Sequence, residues 1–215
     1  MKIKWLGHAS FLITSGGKKV YIDPYAGEYT EKADLILVTH DHRDHCDLHK
    51  ISQVVKPDTF IVTCLRAAGK VRGVGVEVLP LEPGEEKEVK GFRLLGVEAY
   101  NTHRFMFPKI PFHSKGSQVA FIIEAEGKRL YHAGDTDLLP SMKELGPIDV
   151  AMIPIGGRYT MDVKEAVEAV KVIGPKVVLP MHRRNADVEE FKKLAEEGSD
   201  AKVVVLKEGE ELEVP

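Results

Sequence analysis

The chain is short of cysteine, of long apolar runs and of any excess of charge, and each shortage closes off a class of protein. Two cysteines, Cys46 and Cys64, in 215 residues cannot build a disulfide framework, and a free cysteine is most often a small buried apolar residue. No apolar run approaches the ~18 residues that a membrane span requires. Met1-Lys-Ile-Lys-Trp-Leu6 runs straight into strand pattern without the apolar segment of a secretory leader. These features predict a cytoplasmic protein with no disulfide and no membrane partner. Lys and Arg number 30 against 33 Asp and Glu, a formal net charge of -3, so there is no basic surplus to track a phosphate backbone. No Pro/Gly/Ser-rich linker or charge block divides the sequence. That predicts one domain over residues 1–215, with 43% hydrophobic residues to fill its core.

What the chain has is histidine in one place. Thr39-His40-Asp41-His42-Arg43-Asp44-His45 follows an apolar run, Leu35 to Val38, and puts three of the chain's 9 histidines within six positions. The run reads as a buried strand, and a strand ending in imidazoles and a carboxylate delivers them to the rim of a sheet. Two His at i and i+2, with Asp and His at i+4 and i+5, cannot all reach one ion from a short turn without strain. Two neighbouring ions resolve that geometry. The alternative, a solvated loop that happens to be His-rich, does not account for the lead-in strand.

Around this motif, strand-like segments recur near 2–6, 10–14, 19–22, 35–39, 59–63, 75–79, 92–99, 118–125, 128–132, 149–153, 176–179 and 202–206. Ser15-Gly-Gly-Lys18 and Glu126-Gly-Lys128 have the composition of hairpin turns. Asp162 with Glu165 opens a helix whose Val163, Ala166, Val167 and Val170 share a face, and Gly174-Pro175 stops it. Asp187 with Glu190 opens another, with Val188, Phe191, Leu194 and Ala195 inward and Gly198 after its end. Leu48 to Val55 also looks helical. Periodicity alone gives a mixed α/β class.

His40-x-His42-x-Asp44-His45 after a hydrophobic strand resembles the signature of metallo-β-lactamase-fold hydrolases. Tyr131-His-Ala-Gly-Asp135-Thr136 resembles the second motif of that superfamily, and Leu179-Pro-Met-His182 its last. Trp5-Leu-Gly-His8-Ala-Ser-Phe11, Tyr21-Ile-Asp23-Pro24 and Tyr159-Thr-Met161 resemble the small prokaryotic metal-dependent hydrolases that include ascorbate-6-phosphate lactonase. The resemblance spans nearly the whole chain and implies an α/β (α+β) fold, a four-layer αββα sandwich. It also implies a further His on the first metal, before Asp135, for which the chain offers His103 and His113. In related enzymes such as glyoxalase II that His opens a short Gly-containing loop into the next strand. His113-Ser-Lys-Gly116 leading to Val119 has this layout, 22 residues before Asp135, which favours His113 and leaves His103 as the alternative.

The implied cofactor is a pair of divalent ions. His40, His42 and His113 take the first, Asp44, His45 and His182 the second, and Asp135 both. An all-nitrogen-and-oxygen donor set suits zinc, with manganese or iron as alternatives. Such ions make hydroxide available near neutral pH, bringing bound water to a pKa of about 7, so Asp44 and Asp135 are also the expected catalytic residues. The expected reaction is attack of a metal-bridging hydroxide on a lactone or phosphoester. A nuclease is the second reading, and a non-hydrolytic diiron redox or metal-binding protein the third. Diiron reductases of the superfamily carry an acidic residue in the first motif and a flavin domain, and this chain has neither. Ligating imidazoles need their second nitrogen held, which nominates Asp23, Asp47 and Thr136; helix capping is the rival role for Asp47. His8 and His132 read as structural or substrate-facing and stay outside the ligand set. His103, Tyr159 and Arg183 are candidate contacts to a small-molecule substrate, an anionic one included, with Arg184 beside them. The aromatic, proline-bearing segment Asn101 to Lys115 is a candidate pocket wall. The sequence is silent on the oligomeric state.

Overall fold

A computed structural model describes residues 1–214. The chain opens with β1 (Lys2–Gly7), β2 (Ser10–Ser15), β3 (Lys18–Ile22) and β4 (Leu35–Val38). Then come α1 (Leu48–Val54), β5 (Phe60–Thr63), α2 (Leu65–Val71) and β6 (Glu77–Pro80). β7 (Glu86–Val89) and β8 (Phe92–Val97) follow, and a small pair, β9 (Phe105–Phe107) with β10 (Ile110–Pro111). The rest comprises β11 (Ala120–Ala125), β12 (Lys128–His132), β13 (Val150–Pro154), α3 (Val163–Ile173), β14 (Val177–Met181), α4 (Val188–Gly198), β15 (Lys202–Val203) and β16 (Glu211–Glu213).

Two seven-stranded sheets result, in the orders β16-β1-β2-β3-β4-β5-β6 and β15-β14-β13-β12-β11-β8-β7. Each is antiparallel in its hairpin half and parallel in the other half. β3, β4, β5 and β6 pair in parallel in the first sheet, and β12, β13, β14 and β15 in the second. Parallel neighbours require crossovers, and α1, α2, α3 and α4 lie on four of these six. One continuous core cluster joins both sheets, from Ile3 and Phe11 to Met152 and Leu179. This is the mixed αββα architecture expected above.

Local chemistry explains the elements. In Ser15-Gly-Gly-Lys18 both glycines take positive φ, +54° and +75°, the conformation a two-residue hairpin needs. Glu126 and Gly127 do the same between β11 and β12, at +52° and +70°. Asp162 and Asp187 cap α3 and α4, each accepting the main-chain N–H three residues on. Gly198 is the last residue of α4 and does not lie beyond it, and it passes close to the end of the Lys171 side chain of α3. The strands that pattern alone did not mark, β7 (Glu-Lys-Glu-Val) and β16 (Glu-Leu-Glu), are sheet edges, where charged residues discourage further pairing. α2, β9 and β10 were likewise unmarked. β15 stops at Val203, three residues short of the apolar run that suggested 202–206.

The entry to β4 is tied by Asp34, a buried carboxylate that accepts from Lys19 N (2.9 Å) and Lys56 Nζ (2.8 Å). Burial opposes its ionisation, but these donors outweigh burial and hold the carboxyl below its usual range. A depressed carboxyl stabilises the fold above its unfolded pKa of about 3.9 and loses that contribution as pH falls through the lower folded value. Asp34→Asn should therefore cost about 1–3 kcal/mol at pH 7. In denaturant titrations the deficit relative to the unmodified chain should shrink below pH 4 on the basis of this linkage.

Candidate metal centre

Donor side chains gather where the parallel strands of both sheets end, the usual place for a site in such sheets. Beyond β4 the chain turns through His40, His42, Asp44 and His45, Asp135 follows β12, and His182 follows β14. His113 comes from the loop after β10. His8, at φ +52°, sits in the turn between β1 and β2, just past the register shift at Trp5 to Gly7. Three sets of ligand atoms result, each within 4.8 Å of one another: His40, His42 and His113; His8, Asp44, His45 and His182; and His40, His45 and Asp135. Asp135 lies between the first two sets. Its Oδ2 is 3.4 Å from both His113 Nε2 and His182 Nε2, and its Oδ1 is 3.2 Å from His45 Nε2.

The groups behind the imidazoles fix where their protons are. Asp23, fully buried, accepts from Thr39 N (2.7 Å), Thr39 Oγ1 (2.7 Å) and His45 Nδ1 (2.7 Å). Thr39 has spent its only proton on Asp23, so it accepts from His40 Nδ1 at 2.9 Å. Asn101 Oδ1 accepts from His113 Nδ1 at 2.9 Å. His40, His45 and His113 therefore carry a proton at Nδ1 and turn Nε2 inward. His40 Nε2 and His113 Nε2 both face His42 Nδ1, at 3.0 and 3.1 Å, and one proton cannot serve both. Among the described residues, His45 Nε2, Asp135 Oδ1 and both ring nitrogens of His182 are buried without a hydrogen-bond partner. Each such group costs about 1–3 kcal/mol when nothing satisfies it. A convergent set of buried lone pairs and carboxylates fits divalent cations and fits little else.

The electrostatics agree. Burial pushes His113 down to about 4, His40 well below the imidazole range and His42 lower as well, keeping these three rings neutral, each with one nitrogen free of a proton, near neutral pH. For Asp135, burial favours the neutral acid, but His182 and His45 outweigh it and hold the carboxyl well below its normal range. His45 is the exception: burial opposes its charge, but Asp135 and Asp23 reverse that and raise it well above 6.5, favouring a second proton on Nε2 at the position a cation would take. Asp44 is depressed despite burial by its contact with His8 Nε2 at 3.2 Å.

A family model described as a β-lactamase superfamily domain matches residues 2–182. A UPF0173 metal-dependent hydrolase from Pyrococcus abyssi is 43% identical, covering 100% of both chains. One from Methanosarcina mazei is 35% identical over 100% of this chain and 99% of its own. The chain belongs to the metallo-β-lactamase superfamily, among the UPF0173 metal-dependent hydrolases. A solved structure of a metallo hydrolase from the hyperthermophilic archaeon Ignicoccus hospitalis superposes with a TM-score of 0.82 at 30% identity, over 98% of this chain and 97% of that one.

In this metal-dependent hydrolase, the seven side chains expected to hold metal, His40, His42, Asp44, His45, His113, Asp135 and His182, come together. The other expectations divide. Asp23 stands behind His45 and, through Thr39, behind His40. Asp47 instead caps α1, accepting from His49 N (2.9 Å) and Lys50 N (3.2 Å). Thr136 exchanges hydrogen bonds with the main chain of Tyr100 and gives none to an imidazole. His103 is 58% exposed and belongs to a separate group with Asp137 and Glu165. Arg183 turns away: its guanidinium stacks 3.9 Å over Trp5 and bonds Pro180 O and Leu206 O, because residues 183 and 184 point to opposite sides. Arg184 and Arg158 instead flank the Tyr159 ring at 5.0 and 5.2 Å, and Phe112 meets that ring edge-on at 4.6 Å.

A cleft of about 210 Å³ opens on His40, His42 and His113, walled by Met106, Ile110, Pro111 and Phe112. The wall belongs to the β9–β10 pair, which joins neither large sheet and leaves Phe105, Met106, Phe107 and Ile110 exposed. A larger depression of about 430 Å³ beside Pro83 and Arg129 contains no imidazole. Sequence reading set His8 aside and missed Asn101. The turn between two strands was the available signal for His8, whereas Asn101 had none.

Gly156 is required by close approach: a Cβ there would collide with His182 O and lie 3.2 Å from His182 Nδ1. Gly156→Ala should displace His182, costing about 1–3 kcal/mol of stability. Elemental analysis should find less metal retained in that variant than in the unmodified protein.

Proposed function

We propose that this chain is a binuclear metal-dependent hydrolase, a single domain over residues 1–215. His40, His42 and His113 would hold one ion, Asp44, His45 and His182 the other, and Asp135 would serve both. The observation that carries this reading is the convergence of imidazole nitrogens on two sides of one buried carboxylate. Two divalent ions, zinc by default with manganese or iron as alternatives, would supply Lewis acidity and an activated water with a pKa of about 7. The chain's own residues do the rest. Asp23 and Asn101 hold imidazoles by their outer nitrogens, so the inward lone pairs stay aimed. Asp135 orients His45, His113 and His182 toward one point. His8, 3.2 Å from Asp44, orients that carboxylate.

A lactone or phosphoester of modest size suits the 210 Å³ cleft, and its apolar wall excludes water from one side. Arg158 and Arg184, which have no carboxylate partner among the described residues, flank the Tyr159 ring that packs on Phe112 of the cleft wall, a positive charge near the cleft suited to an anionic group on the substrate. A cytoplasmic location belongs to the same reading, supported by two buried free thiols. No helix among the described residues is long and apolar enough to cross a membrane.

Elemental analysis of purified protein should give two equivalents of metal per chain. Lactones, phosphodiesters, phosphomonoesters and thioesters should then be screened with the metal found. Asp135→Ala or His42→Ala should lower hydrolysis at least about a hundredfold and release metal. His103→Ala should leave metal content unchanged. A single equivalent in the unmodified chain, or metal lost from His103→Ala, would overturn the assignment.

A further inference from the structure

Outside the centre lies a second buried polar cluster, formed by Asn101, Arg104, Asp137 and Glu165, that metal chemistry does not account for. Asp137 is fully buried and saturated with donors. Its Oδ1 accepts from Arg104 Nη1 (2.6 Å) and Asn101 Nδ2 (2.9 Å), and its Oδ2 from Thr102 N (2.7 Å) and His103 N (3.1 Å). Arg104 also reaches Glu165 Oε2 at 2.6 Å and donates from Nε to Gly157 O at 3.0 Å. Its guanidinium fills the space that a cation held by His103, Asp137 and Glu165 would need, so this cluster is an ion-pair network and no metal site.

The consequence lies one bond further in. Asn101 Nδ2 sits between two groups that can only accept, Asp137 Oδ1 and Tyr159 O, each at 2.9 Å. The amide oxygen must therefore face the other way, where it accepts from His113 N (2.9 Å) and His113 Nδ1 (2.9 Å). A reversed amide would set carbonyl against carboxylate and NH2 against N–H. With its proton held at Nδ1, His113 presents Nε2 to the centre, 3.1 Å from His42 Nδ1 and 3.4 Å from Asp135 Oδ2.

We propose that Asn101 and Asp137 are positioning residues for His113: Asp137 sets the direction of the Asn101 amide, and that amide sets the tautomer of the imidazole. The proposal rests on the reading of His113 as a metal ligand. It gives the run Asp135-Thr136-Asp137 a division of labour. Asp135 faces the centre, Thr136 bonds the Tyr100 main chain, and Asp137 holds the loop that carries Asn101.

The test uses the full chain with Asn101→Ala and Asp137→Asn. Long-range 1H–15N spectra of the histidine rings, taken on protein as purified and after chelation, report the His113 tautomer. Zinc titration against a chromogenic chelator reports affinity at each equivalent. The unmodified chain should show Nδ1–H at His113. Asn101→Ala should mix in the Nε2–H form and weaken one zinc equivalent about ten- to a hundredfold while sparing the other. Asp137→Asn, close in shape, should shift both readouts the same way by less, and it decides the matter if Asn101→Ala does not fold. A purely structural role would lower the melting temperature without moving tautomer or zinc affinity, and that outcome overturns the proposal. A chain that binds no zinc but keeps the tautomer response would sink the metal assignment and leave this linkage standing.

Discussion

Imidazole nitrogens taken out of water with their lone pairs pointing at one another are the constraint on which this molecule is organised. A protein interior does not ordinarily tolerate such an arrangement, since every unpaired buried acceptor is a loss that folding must offset elsewhere. Here the losses are gathered at one place, against a carboxylate that stays ionised under burial. The fold has to be stiff enough to keep them there. Two sheets sharing one core, each ending its parallel strands at the same edge, provide that stiffness.

The outer layer of partners is what makes the arrangement directional. Asp23 serves both halves of the centre, through Thr39 to His40 on one side and straight to His45 on the other. Its own backbone, at φ +44°, is in the left-handed region, strain retained at a position whose contacts leave no other conformation useful. His8 at +52° and His182 at +47° are bent in the same sense. Three of the seven non-glycine residues at positive φ thus sit at the centre, while Lys90, Lys109 and Glu126 serve hairpin turns.

What could be read from the sequence was what neighbours along the chain determine. The motif from His40 to His45 is contiguous and follows a strand, so its purpose was visible, as were the hairpin glycines and the helix caps at Asp162 and Asp187. His113 was accessible through the loop and strand that follow it. Asn101 was not, because its partners lie 12 and 36 residues away and an isolated Asn carries no pattern. Arg183 was misjudged because adjacency to His182 says nothing about direction: one residue further along, Arg184 takes the side facing Tyr159. Asp47 illustrates two roles competing for one carboxylate, with the local one, capping, prevailing. The charged edge strands β7 and β16 escaped notice because their burial is one-sided or slight, leaving no apolar alternation to detect.

The β9–β10 pair is stitched to the body chiefly through its two stems, at Arg104 on one side and at His113 on the other, and contributes a wall of the cleft without entering either large sheet. Length and composition between those stems are therefore decoupled from the packing that holds the donors. Descendants of such a gene can exchange this ribbon, lengthening it or trading its aromatic residues for polar ones, and so explore new molecular shapes while the reactive hub is inherited intact.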